Sequence, residues 1–146
     1  MRVWLLNLDA EMELARSGPY QAPLRVLQAL APWAERARSL LAPQDELLEA
    51  WLEQAPEARQ TDAVGACWSP TPSALARLSR AGLPLPPAPS VEVLRSVSHR
   101  RFYLGLGGGA PGATFFEDAD AFERALAARG NEPWFFKRPY GFAGRG

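Results

Sequence analysis

A chain of 146 residues has room for one sizeable core and little more. Its sixteen basic and sixteen acidic residues cancel and are interspersed, so no charge field points to nucleic acid or an anionic membrane surface. Cys67 is the sole cysteine, which excludes an intrachain disulfide and a zinc site built on thiolates. A single thiol also fits the reducing cytoplasm, where we expect the protein.

The opening "MRVWLLNLDAEMELA" meets Asp9, Glu11 and Glu13 too soon to be a signal-peptide core. No segment approaches the roughly 18 apolar residues of a membrane span. "RVWLLNL" (Arg2 to Leu8) is predicted to be a buried strand. From Ala22, Leu24, Leu27, Ala31 and Ala34 recur at helical spacing, with Pro32 able to kink or divide the helix. "DELLEAWLEQ" (Asp45 to Gln54) is a second amphipathic helix, and "DAVGACW" (Asp62 to Trp68) a second buried strand. Next comes a helix with Ser69, Thr71 and Ser73 as possible N-caps and Gly82 as its stop. "LPLPPAPS" (Leu83 to Ser90) carries four prolines in eight residues and reads as a stiff linker.

Beyond the linker, "VEVLRSVSHRRFYLGL" is predicted to be one helix ending in "GGGAPG". In that helix Arg101 shares a face with Leu94, Val97 and Leu104, so at least one of the adjacent arginines should point inward. "ATFF" (Ala113 to Phe116) is a short strand. "DADAFERALAARG" is a helix with a capping pair, Asp120 and Glu123, and a terminating Gly130. "EPWFFKRPY" (Glu132 to Tyr140) is a further strand. Strands alternating with helices give an α/β fold: a small parallel-sheet domain over residues 1–88, then an incomplete α+β unit over 89–146.

The chemistry concentrates at the C-terminal end. Fifteen of the sixteen cations are arginines, and Lys137 is the only lysine. It closes a β-prone aromatic run and precedes Gly141, Phe142, Ala143, Gly144, Arg145 and Gly146. A compact ammonium suits a phosphate oxygen. Glycines let successive backbone N–H groups approach an anion without a Cβ in the way. The spacing is neither a Walker A loop nor a dinucleotide fingerprint, since the lysine comes before the glycines. The first strand likewise runs into "NLDAE" and not into glycines, against a Rossmann-type site. His99 has no carboxylate partner in the sequence and reads as a helix-surface residue. Cys67 lacks a histidine neighbour and reads as structural. "NLDAE" (Asn7 to Glu11) and "WSPTP" (Trp68 to Pro72) follow strands, where α/β sheets bind ligands, and either could instead cap the next element.

A strand lysine and glycine turn, preceded by a linker, a basic helix, a proline-led strand "APGATFF" and a second helix, resemble the start of an ATP-grasp domain. The resemblance implies that Lys137 contacts the α-phosphate side of ATP and that the Gly141–Gly146 stretch lies over the β- and γ-phosphates. A second cation comes in this family from the opening helix. Here "SHRRF" offers Arg100, or Arg101 as second choice, where the family usually has lysine. Residues 1–88 would be the small domain that precedes the ATP-grasp fold. The whole protein would be a ligase that activates a small-molecule carboxylate as an acyl-phosphate with Mg-ATP and passes it to an amine or similar nucleophile. The magnesium ligands and the adenine-binding segment of that family lie downstream of Gly146. The resemblance therefore implies a fragment, inactive alone, with no metal ligands of its own. The rival reading is a non-catalytic α/β interaction module with a flexible glycine-rich tail.

Overall fold

The computed structural model describes residues 1–130 and 133–140. Its centre is a three-stranded parallel sheet in the order β2-β1-β3, with β1 at Arg2–Leu5, β2 at Glu46–Leu47 and β3 at Val64–Cys67. Val3 and Leu5 are two residues apart and so share one face of the pleat. They are buried there with Leu48 and Trp51 of α3 (Leu48–Glu53) and Ala74 and Leu78 of α4 (Pro72–Arg80). Fully burying a side chain such as Leu48 or Leu78 stabilises by about 1.5–3 kcal/mol, so this cluster carries most of the fold. Of the five tryptophans, Trp51 alone is buried in this core; Trp68 is 56% exposed.

The architecture is mixed α/β, as expected. The remaining helices are α1 (Ala10–Leu14), α2 (Leu24–Arg38), α5 (Val91–Ser98), α6 (Arg100–Gly105) and α7 (Ala119–Arg129). No helix among the described residues is long and apolar enough to cross a membrane. α2 runs unbroken through Pro32 and buries no residue. Pro32 removes a hydrogen bond only on an exposed surface, where water can satisfy the vacant carbonyl.

Several elements depart from the sequence reading, each for a local reason. β1 stops at Leu5 because the N–H groups of Asn7 and Leu8 turn back to the carbonyls of Leu5 and Leu6. The helix expected from Asp45 starts at Leu48. Residues 46 and 47 pair with β1 instead, and the Asp45 carboxylate accepts from the Arg2 N–H (2.9 Å) and Trp4 Nε1 (3.0 Å). The expected linker begins later than Leu83. Leu83 is buried in the core, and the Pro84 carbonyl accepts from the Gly65 N–H at 2.9 Å, which closes that position on the edge of β3. A Cβ on Gly65 would lie 3.0 Å from that carbonyl, so a larger residue would push it back by a few tenths of an ångström. Gly82 ends α4 at φ +75° as read from the sequence.

In the C-terminal third the cap of α7 is Asp118, whose Oδ1 accepts from the Ala121 N–H, and not the Asp120–Glu123 pair. Residues 113–116 and 133–138 form no strand. High β propensity is not enough where no neighbouring strand supplies ladder partners. The side chains of the second segment still pair two residues apart: Trp134 stacks on Phe136, and the Lys137 ammonium lies 5.3 Å from the Phe135 ring centre. Phe136 also meets Phe122 of α7, edge to face at 5.1 Å.

Two outcomes follow for stability. Hydrogen bonds from Trp4 and from the Arg2 backbone hold the Asp45 carboxyl below its usual pKa. A carboxyl depressed by folding stabilises at neutral pH, and that contribution is lost as pH falls from about 4 through the folded value. Asp45→Asn should flatten the acid limb of a urea-derived stability profile; an unchanged limb would show that these bonds do not favour the ionised form. Gly65→Val should lower stability by about 1–3 kcal/mol through overpacking against Pro84 and Leu78. Chemical denaturation checks this, and a loss below about 0.5 kcal/mol, the range of an ordinary surface change, would mean the edge relaxes freely.

Candidate functional site

The strand order makes the chain reverse direction about β1, so the C-terminal ends of β1 and β3 lie side by side. Open α/β sheets bind ligands in the crevice at such a point. Here the chain's own side chains fill it. The buried Asn7 amide donates to the Ser69 carbonyl (2.7 Å) and to Thr71 Oγ1 (3.3 Å), while its Oδ1 accepts from the Ser69 N–H (3.1 Å). The buried carboxylate of Glu13, from α1, accepts from the Ser73 N–H (2.9 Å) and Oγ (2.5 Å). It thus meets the positive end of α4, where an anion would otherwise be favoured. "NLDAE" and "WSPTP" therefore contribute a clasp between two loops. Thr71 sits at the N-cap position of α4 but gives no side-chain cap, because its hydroxyl faces Asn7.

A second concavity lies where α1, α5 and α6 meet. It is a cleft of about 350 Å³ lined by Glu11, Val97, Ser98, His99, Arg100 and Tyr103. Its geometry follows from a break in the expected helix. His99 is extended (φ −77°, ψ 133°) and caps α6 by accepting the Arg101 N–H on Nδ1 at 3.2 Å. That bond leaves Nε2 to carry the proton of the neutral ring. The ring is half-buried between Phe115 (5.0 Å) and Tyr140 (4.9 Å), both edge-on, so His99 is not the surface residue expected.

The break also rephases the adjacent arginines. Arg101 no longer shares a face with Leu94 and Val97; it is exposed and paired with Glu117, an ion pair whose side chains are 68% and 61% exposed. Arg100 is the more buried of the two. Its N–H donates to the Pro139 carbonyl (3.0 Å) and its Nε to the Arg138 carbonyl (2.8 Å). Arg100 and the residue next to Lys137 are thereby brought together across 38 positions of sequence. Lys137 itself is exposed. Residues 141–146, the glycine stretch, lie outside the described residues. Among the described residues no group of three His, Cys, Asp or Glu is placed to hold a metal ion.

Two participants escaped the sequence reading. Tyr140 Oη donates to the Arg95 carbonyl at 3.2 Å. Arg95 in turn donates from Nε to the Leu14 carbonyl (3.1 Å) and from Nη2 to the Arg16 carbonyl (2.6 Å). Nothing in the sequence marks either pairing, since each joins residues more than forty positions apart. Comparison with known proteins finds no matching family model, no matching curated protein and no matching solved structure.

The clasp makes a direct prediction. Asn7→Asp replaces the donor to Ser69 and Thr71 with a second acceptor, leaving buried polar groups unpaired. It should cost about 1–3 kcal/mol in urea denaturation. A change within about 0.5 kcal/mol, typical of an uncoupled surface position, would show that the crevice is not held by this amide.

Proposed function

We propose that this chain carries the opening elements of an ATP-grasp nucleotide-binding domain behind a small α/β unit, divided near residue 88. In this reading Lys137 and the glycine stretch 141–146 grip the phosphates of ATP, with Arg100 as the second cation and Arg101 as the alternative. The observation that carries it is the docking of residues 138–140 on the α5–α6 junction. Arg100, the cation the resemblance assigns to the same ligand, thereby meets the residues that follow Lys137. Within this pair Arg100 is the one that lines the cleft, whereas Arg101 is exposed and pairs with Glu117. Trp134 and Phe136 contact each other and α7, whereas Lys137 is exposed beside the Phe135 ring, where its ammonium can meet a ligand.

In this reading the phosphate cations offset charge on the transferred phosphoryl group and fix its position, and the protein does little covalent chemistry itself. The whole protein would form an acyl-phosphate from a small carboxylate and transfer the acyl group to an amine or similar nucleophile, in the cytoplasm. Magnesium would accompany the nucleotide. The acidic residues described here do not gather into a set for it, so no step is assigned to the ion. A second reading, a non-catalytic interaction module, draws on one observation: α2 buries no residue and leaves Leu24 70% and Leu27 50% exposed.

Thermal unfolding with the non-hydrolysable ATP analogue AMP-PNP and Mg²⁺ separates the two. Ligand at one hundred times its Kd adds about 2.7 kcal/mol, so the midpoint should rise by several degrees, and Lys137→Ala should abolish the rise. No shift in the unmodified chain would favour the module. ATP turnover by these 146 residues, lost in Lys137→Ala, would contradict the expectation that the chain is inactive alone.

A further inference from the structure

Arg100, the expected phosphate contact, also donates hydrogen bonds to the protein's own backbone. One residue engages two consecutive carbonyls, through its N–H to Pro139 and its Nε to Arg138. A guanidinium is planar, so fixing Nε also fixes the direction of its terminal nitrogens. The next residue, Tyr140, is held on the other side. Its ring meets the edge of His99 at 4.9 Å, and its hydroxyl reaches the Arg95 carbonyl at 3.2 Å. His99 is itself fixed by Phe115 and by its cap to Arg101. Residues 138–140 are thus pinned at successive positions by α5 and α6.

We propose that Arg100, His99 and Tyr140 are positioning residues. They clamp the chain at 138–140 against the α5–α6 junction, beside the cleft that His99 and Arg100 line. Lys137 is the residue immediately before the clamp, so its backbone is carried to the same place. The clamp lowers the conformational freedom that a phosphate ligand would otherwise have to remove, and it does so with uncharged groups as well as with Arg100. This inference deepens the nucleotide-binding reading and depends on it only for what the clamp serves. The clamp itself can be tested without nucleotide.

The test has two arms. In the first, amide hydrogen exchange is followed by NMR in the 146-residue chain without ligand. The Arg100 N–H, which donates to Pro139, should exchange at least tenfold faster in Tyr140→Phe, while Val3 and Leu5 in the sheet stay unchanged. Equal exchange in both proteins would overturn the clamp. In the second arm, the Kd for Mg-AMP-PNP is measured. Arg100→Ala and Tyr140→Phe should each weaken binding several-fold. If Arg100→Ala weakens binding while Tyr140→Phe has no effect, Arg100 acts on the ligand alone and the positioning role is wrong. If the unmodified chain binds no nucleotide but the exchange arm succeeds, the clamp stands and the nucleotide reading falls.

Discussion

The guanidinium of Arg95 is the tie on which the placement of the C-terminal third depends. It donates to the carbonyl of Leu14, the last residue of α1, and to that of Arg16 just beyond the helix. Hydrogen bonds from a charged donor contribute about 1.5–3 kcal/mol, and a half-buried side chain puts this one toward the lower end. Beside it, Leu94 is buried. The backbone carbonyl of the same arginine receives the Tyr140 hydroxyl. One residue therefore connects the α/β layer, through α1 and α5, to the segment that precedes the glycine stretch.

Two sites compete for a ligand in a molecule of this plan, and their chemistry differs. At the sheet edge the positions that could receive an anion already hold Glu13, and the neighbouring loops are joined by Asn7. A ligand there would have to displace buried hydrogen bonds within the fold. At the α5–α6 junction the polar groups surround an open cleft, and a cation stands at its wall. The same physical rule, that buried polar groups find partners, closes the first site and leaves the second as the candidate.

Much of the fold was legible from the sequence. Val3 and Leu5 mark β1, and the small apolar run at Val64–Cys67 marks β3. Gly82 and Gly130 stop helices where the sequence indicates. The misreadings share a cause, which is that distant partners override local preference. Glu46 and Leu47 have a helical pattern but are drawn into the sheet by β1. His99 breaks a continuous helical pattern because its ring is held by Phe115 and Tyr140, and the break turns Arg101 outward and Arg100 toward residues 138–139. Asp118, and not Asp120, caps α7, because its carboxylate reaches the Ala121 N–H. For the site, Lys137 and the arginine pair were conspicuous as residue types. Arg95 and Tyr140 carried no signal, because a hydrogen bond to a distant backbone carbonyl leaves no pattern in sequence.

What the candidate site could do follows from charge and position. Arg100 stands at the cleft wall and holds the segment that follows Lys137, and α1 contributes Glu11 to the lining. The central claim is that nucleotide binds at this junction and not at the sheet edge. Hydrogen exchange read by mass spectrometry, with and without Mg-AMP-PNP, tests it most directly. The account predicts slower exchange in peptides spanning 99–101 and 133–146 and none in those spanning 7–13 and 69–73. Protection confined to the sheet-edge peptides would contradict it.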